Sequence, residues 1–450
     1  MPSTLENLPT ALAINDARLL SELHHLASLT DCPPTTDTSL PEPTQAVTRI
    51  VFTPRDLEAR AYILSLAQAA GFETRVDPVG NTFLRWPGSD PTLPVVGTGS
   101  HTDAIPHAGM YDGTVGVLGG IEAMRSLKES GFIPKRSIET LMLTSEEPTR
   151  FGIGCLGSRI IGGALDPATA DILPDRLPEI EATASTGLTL HDVRTAAGFT
   201  GSLTDVILPI DYFQAWVELH IEQGPLLERD GISLGIVTNI AAPASYRYEI
   251  KGFGGHAGAL LMPDRRDALC AAAEIILSVE RHTLTANSEA KAAGQSGVDS
   301  VATVGSVAVH PGNVNSVPSL VNLMLDIRDT DVARRNRTMA ALHADIAEIQ
   351  FRRGVTVSET KINADIPAVS SDHIVSTLES ICKSENISYQ KMVSRAYHDS
   401  TFIARIAPIA MLFIPCRNGV SHRPDEYSTP AAITQGTRIL ALTLAQLANE

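Results

Sequence analysis

Residues 94–147 read PVVGTGSHTDAIPHAGMYDGTVGVLGGIEAMRSLKESGFIPKRSIETLMLTSEE. The apolar run PVVGTGS predicts a strand, GVLGGIEAMRSLKES a helix closed by Gly131, and SIETLMLTS a second strand. Upstream, a helix is expected from Pro54 to Ala70, stopping at Gly71, and FETRVD and NTFLRW read as strands. Strands alternating with helices imply the α/β class, a mostly parallel sheet flanked by helices on both faces. Functional groups in such sheets collect at the carboxyl ends of the strands. His101, Glu146, Glu147 and, after FQAWVEL, His220 all stand at predicted ends of that kind.

The pattern changes near Ala241. Strand SYRYEIKGF, helix DALCAAAEIILSVE, strands VATVGSVAV and LVNLMLDIR, a helix near Met339 to Ile349 and strand VTVSETKI follow in turn. That order, β-α-β-β-α-β, predicts a ferredoxin-like unit inserted into the larger domain. The polar stretch ANSEAKAAGQSGVDS is expected as a loop within it. IAMLFIPC then reads as a buried strand and AAITQGTRILALTLAQLA as a terminal helix. The expected division is 1–240 with 363–450 as one domain and 241–362 as the other. Near the start, Leu19, Leu20, Leu23 and Leu26 recur at helical spacing, and DCPPTTDTSLPEPT is a Pro/Thr-rich surface loop.

The chain has 450 residues, 43% of them apolar, which is enough for a large core and two domains. A formal charge of -16 with no basic stripe argues against a nucleic-acid or anionic-membrane partner. Five scattered cysteines without a CxxC pair favour reduced thiols inside a cell. MPSTLENLPTALAINDARLL has no basic stretch followed by an apolar core, and no apolar run is long enough to span a bilayer, so a cytoplasmic protein is expected.

Five segments carry the candidate chemistry: SHTDAIPHAGMYDG, TSEEPTRFG, ELHIEQG, GGHAG and SHRPDEY. His101 and Asp103 lie two apart at a strand end, where the acid can orient an imidazole that binds metal; a hydrogen-bonded loop pair is the alternative. Asp112 reads either as a helix N-cap or as a carboxylate bridging two cations through its two oxygens. Glu146 and Glu147 are either a solvated pair or, at the end of an apolar strand, one metal ligand and one proton shuttle. His220 is a satisfied core histidine or a ligand, and His422 a solvated loop residue or a ligand. Carboxylates mixed with imidazoles suit Zn, Mn, Co or Ni better than Ca or Mg. His256 follows GFGG, where glycines permit close approach to a ligand, with a solvated loop histidine as the alternative. Arg328 ends a predicted strand and suits a substrate carboxylate, with a surface pair to Asp326 or Asp329 as its alternative. Asn315 offers a donor and an acceptor for a ureido group.

This ordered set, with NVNSVP and LDIRD, resembles the dimetal amidohydrolases of the M20 peptidase and carbamoylase group over nearly the whole chain from about residue 50. Within the group, TSEEPTRFGI, GGHAGALLMP and YHDSTFIARIAPIAMLFIPC are most similar to the ureidoglycolate amidohydrolases. The resemblance implies a dimetal aminopeptidase-like catalytic domain and an inserted lid and dimerisation domain. It implies His101 and His220 on one metal, Glu147 and His422 on the other, Asp112 between them, Glu146 as general base and Asp103 as the acid that supports the metal ligands from behind. It further implies two divalent ions, Mn first among Zn, Co and Ni, and a small anionic ureido substrate held by Gln223, Asn315 and Arg328. A homodimer is implied too, with His256 donated across the interface to hold the oxyanion. The implied reaction is cleavage of (S)-ureidoglycolate to glyoxylate, ammonia and carbon dioxide. Allantoate, an N-carbamoyl-L-amino acid or β-ureidopropionate is the alternative substrate, and a non-catalytic binding or scaffold protein the alternative of another class. Val420, where the group's ureidoglycolate enzymes carry an aromatic residue, is a departure that bears on substrate choice.

Overall fold

The computed structural model describes residues 12–33, 39–41, 43–177, 187–295 and 300–450. The start of the segment expected to lack a targeting signal, the middle of the DCPPTTDTSLPEPT loop and residues 296–299 of the second expected loop lie outside the described residues. The chain divides into two compact units. The first comprises Met1–Thr238, Val369–Met392 and His398–Glu450, and the second Asn239–Ala368 and Val393–Tyr397.

In the first unit the strands Ile409–Ile414, Phe213–Ile221, Val95–His101 and Ile138–Leu143 lie side by side in that order, all parallel. Thr82–Trp86 and then Glu73–Val76 continue the sheet antiparallel beyond Ile138–Leu143. The strands Val95–His101, Ile138–Leu143 and Ile409–Ile414 are buried at every position, as strands covered on both faces must be. Helix Thr114–Glu129 crosses between the first two parallel strands of the sequence and is buried from Thr114 to Leu127. Its Val117, Leu118 and Ile121 share a core with Leu219 and Ile221 of the sheet and with Leu440 and Leu444 of the terminal helix Pro430–Asn449. Each such fully buried aliphatic side chain contributes roughly 1.5–3 kcal/mol by leaving water.

Parallel strands share one carboxyl edge, so the register fixes what meets there. His101 stands opposite Leu143, three residues before Glu146, and His220 stands opposite Phe413 on the strand that leads to the His422 loop. Four segments far apart in the chain therefore deliver their polar ends to one edge.

In the second unit a four-stranded antiparallel sheet runs in the order Val301–His310, Leu320–Asp329, Ala242–Lys251, Thr356–Ala364. With helices Ala268–Ala292 and Val332–Arg353 this is the β-α-β-β-α-β order of a ferredoxin-like unit. Leu320–Asp329 buries alternate residues, Val321, Leu323, Leu325 and Ile327, as a strand covered on one face does. One expectation fails here. The stretch from Ala286 to Ala292 continues the helix capped by Asp267 and is not a loop. Its polar residues cover the outer face of a 25-residue helix whose Ala286 and Ala290 stay buried. Asn287 closes the far end by exchanging two hydrogen bonds with the backbone of Ser300.

Among the described residues no helix is long and apolar enough to cross a membrane. All five cysteines are unpaired; four are buried and Cys270 is exposed.

Candidate metal centre

His101, the last residue of its strand, and His220, the last but one of its own, are both buried. Each directs Nδ1 to a backbone carbonyl, that of Asp103 at 3.0 Å and that of Ile221 at 2.9 Å. A ring held by its Nδ1–H directs Nε2 to the other side, the atom a metal ligand offers, and for His220 that atom also meets the Gly113 N–H at 3.3 Å. Both Nε2 atoms face Asp112 Oδ1, at 3.6 Å for His101 and 3.1 Å for His220. Gly113 permits this approach. Its φ is 67°, and a β-carbon there would lie 2.4 Å from His101 Nε2.

The other oxygen of Asp112 looks the opposite way. Oδ2 lies 3.3 Å from His422 Nε2, and His422 Nε2 lies 3.3 Å from Glu147 Oε1. His101, Asp112 and His220 thus form one triplet whose ligating atoms fall within 4.8 Å of each other, and Asp112, Glu147 and His422 form a second. Three imidazole nitrogens and two carboxylates, one of them shared through its two oxygens, fit a pair of borderline divalent ions. His422 is the half-exposed member, on a loop where its own φ is 58°.

Electrostatics follow from the crowding. Burial, reinforced by Glu147, Asp112 and Asp103, pushes Glu146 up to about 8, although the neighbouring His101 opposes the rise. Burial and Asp112 likewise push Glu147 up to about 7 against the pull of His422. A hydrogen bond with Asp112 lifts His422 to about 9. Burial works against charging of His101, yet Glu146 and Asp112 outweigh it and raise His101 well above the ordinary imidazole value. Burial would also raise Asp112, but hydrogen bonds with His101, His220 and His422 hold it well below the usual carboxylate range. These donors retain protons at the lone pairs that divalent cations compete for.

Glu146 stands outside both triplets, mostly buried, with Oε2 at 3.7 Å from His101 Nε2. Its other oxygen accepts a hydrogen bond from the Cys155 thiol at 3.3 Å. Asp103 departs from the expected geometry. Its carboxylate is 3.8 Å from His101 Nδ1, because the Asp103 backbone carbonyl already takes that proton. The carboxylate instead accepts from the backbone N–H groups of Glu146 at 3.2 Å and Glu147 at 3.1 Å. It fixes the two glutamates, and the backbone fixes the imidazole.

Gln223, with φ 53°, donates from Nε2 to Asp112 Oδ2 at 2.7 Å, while its Oε1 is buried without a protein partner. His256, Asn315 and Arg328 belong to the second unit. His256 pairs with Ser316 in a short antiparallel bridge, and Ala257 donates its N–H to the Asn315 carbonyl, so these two segments come together. Arg328 Nε donates to Asp326 at 2.8 Å, the surface pair its position allowed.

Two residues of SHRPDEY and its preceding turn carry structure that the pattern did not reveal. Ser421 Oγ lies 2.8 Å from Asp112 Oδ2 and 2.8 Å from Glu426 Oε2. Glu426 accepts from the backbone N–H groups of Tyr111 at 2.8 Å and Asp112 at 3.0 Å. In the sequence Asp425 and Glu426 are two adjacent acids. Only the fold shows that Asp425 takes Arg423 and Glu426 turns inward.

Residues 97–446 match the model of peptidase family M20/M25/M40. The chain is 46% identical over 433 residues to the ureidoglycolate hydrolase of Oryza sativa subsp. japonica, covering 95% of this chain and 84% of that one. The crystal structures of AtUAH in complex with glyoxylate and in complex with (S)-hydroxyglycine each superpose with a TM-score of 0.83 at 43% identity, covering 98% of this chain and 100% of theirs. The parallel sheet, the paired triplets at its carboxyl edge and these matches together establish that the chain belongs to peptidase family M20/M25/M40.

Proposed function

We propose that this chain is a metal-dependent amidohydrolase that cleaves the ureido group of (S)-ureidoglycolate, releasing glyoxylate, ammonia and carbon dioxide. The observation that carries the reading is Asp112, whose two oxygens face two separate imidazole-bearing triplets, with a further carboxylate, Glu146, in neither. His101 and His220 would hold one divalent ion and Glu147 and His422 the other, with Asp112 common to both. Two such ions supply Lewis acidity for the ureido carbonyl and lower the pKa of water. Mn is the first candidate for this mixed donor set, with Zn, Co and Ni sharing the same chemistry.

Glu146 is the general base. It stands beside the triplets without belonging to either, with Oε2 3.7 Å from His101 Nε2, a place from which a carboxylate can accept a proton from water and return it to departing ammonia. The Cys155 thiol and the Asp103 clamp on its backbone fix where that proton is held. Loss of ammonia and carbon dioxide leaves hydroxyglycine, which gives up a second ammonia to become glyoxylate. The relatives support the choice of substrate, since the matched structures are complexes with glyoxylate and (S)-hydroxyglycine.

Substrate recognition is assigned to Gln223 and to three residues of the second unit: His256 for the oxyanion, Asn315 for the ureido group and Arg328 for the carboxylate. Residues 1–240 and 363–450 would form the catalytic domain, and residues 241–362 a lid and dimerisation domain of a homodimer in which His256 serves the partner copy. A cytoplasmic location completes the reading. The test is ammonia release from purified, Mn-supplemented protein offered (S)-ureidoglycolate, allantoate, N-carbamoyl-L-amino acids and β-ureidopropionate. Ureidoglycolate should be turned over with the highest kcat/KM. A higher kcat/KM for any of the others reassigns the substrate, and no turnover with any of them removes the enzymatic reading.

A further inference from the structure

Asp112 and His422 lie 310 positions apart, and both project from loops, so something must hold the two loops at ligating separation. The Asp112 turn has no side-chain cap for the helix that follows it. The His422 loop is half-exposed and strained to a φ of 58°. The group that spans them is Glu426. It is 2% exposed and takes three donors at once: the N–H groups of Tyr111 and Asp112 on Oε1 and the Ser421 hydroxyl on Oε2. A turn closed by the Glu426 N–H on the Arg423 carbonyl fixes its distance from His422. Ser421, the residue before His422, also touches Asp112 Oδ2, so the same network reaches the shared carboxylate from backbone and side chain alike. The packing leaves no slack. A β-carbon on Gly109 would fall 2.3 Å from Glu426 Cβ, and the rings of Tyr111 and Tyr427 meet edge-on at 6.0 Å.

We propose that Glu426 is a positioning residue that ties the Asp112 turn to the His422 loop and thereby sets the geometry of the Asp112, Glu147 and His422 triplet. It touches none of the reacting atoms. The inference rests on the reading of that triplet as a metal site. Its physical basis is that a buried carboxylate accepting two backbone N–H groups fixes main-chain position. Removing it leaves those donors buried and unpaired, which the loop relieves by moving. The first triplet shares Asp112 but has two imidazoles tied to their own strands, so it depends on Glu426 less than the second does.

Mn titrations of the full-length protein, followed by calorimetry and by the loss of the free-ion EPR signal, test this in wild type, E426Q, E426A and S421A. Wild type should bind two ions. In E426A one ion should weaken by roughly 10–100-fold, the usual effect of losing a group that orients a ligand, while the other, which shares only Asp112, weakens clearly less. E426Q, which retains a carbonyl for the two N–H groups, should recover much of the loss. The activity of E426A should fall at low Mn and return as Mn is raised, with KM for substrate unchanged. E426A and E426Q that bind both ions as wild type does would overturn the proposal, as would equal weakening of both ions. If E426A does not fold, S421A decides by the same titration: weakening of one ion more than the other supports the proposal, and wild-type binding of both overturns it. A wild type that binds fewer than two ions removes the two-metal reading itself and this inference with it, a result distinct from a normal wild type with normal variants.

Discussion

Two pairs of acids, one pair in each unit, sit under opposite electrostatic conditions. In the first unit Glu146 and Glu147 are pushed up, to about 8 and about 7, chiefly by burial and by neighbouring carboxylates. In the second unit Glu274 is drawn down to about 2 by hydrogen bonds from Arg352 and Arg353, and Asp345 is lowered by Ser278, His282 and Arg281. The charge type is the same; the partner differs. On the helices of the second unit each of these acids meets a cation carried by the chain and contributes to a solvated ion-pair network. At the carboxyl edge of the parallel sheet the acids meet each other and imidazoles, an arrangement that is favourable only with added positive charge. A cluster of carboxylates placed away from the chain's own arginines is therefore evidence of a site, and a cluster threaded with them is evidence of a surface.

The largest effect expected from this contrast is on Glu146. Replacing Glu146 by Gln keeps the shape and removes the proton acceptor, so kcat should fall roughly 10²–10⁴-fold. Mn content, measured by elemental analysis, should stay at the wild-type value. A variant with near-native kcat would take the base role away from Glu146.

Metal removal should come next. Ions that bind only the folded chain stabilise it by about 2.7 kcal/mol at a hundredfold excess over Kd. Chelation should therefore lower Tm and restore it on adding Mn. The effect should be confined to one unit: hydrogen exchange should rise in segments 108–116 and 417–427 and stay unchanged in helices 268–292 and 332–353. Uniform exchange across both units would dissolve the contrast.

Smallest is the effect of Glu274→Gln. The folded-state pKa of Glu274 lies below its ordinary value of 4.5, so its pairing contributes fully above that pH and is lost as pH falls from 4.5 towards 2. Arg352 is half-exposed, which limits the contribution to about 1 kcal/mol or less. Urea denaturation at pH 7 should show the variant slightly less stable than wild type, and the gap should shrink at pH 3. A gap that widens in acid would mean that Glu274 is not paired as the structure shows.

Much of the candidate site was legible because strand ends mark it. His101, Glu146, Glu147 and His220 follow apolar runs, and a run that stops at a polar residue in an α/β sequence points to the carboxyl edge. Asp103 was legible as a participant but not in its role. Spacing by two suggested a hold on the imidazole, whereas competition from its own backbone carbonyl sent the carboxylate to the Glu146 and Glu147 amides. Glu426 was not legible at all, since nothing local separates it from Asp425. The segment after Ala286 misled in the other direction, because polarity was taken for irregularity where it marked the wet face of a long helix.

The sequence by itself determined the class of sheet, the β-α-β-β-α-β order and the identity of the donor groups, because hydrophobic period and residue type are local properties. Tertiary structure alone decided which oxygen of Asp112 faces which histidines, that backbone carbonyls set both imidazoles, and that Glu426 joins two segments about 315 positions apart. Those are statements about directions in space between residues distant in the chain, and only the packed register of parallel strands and the loops they carry fixes such directions.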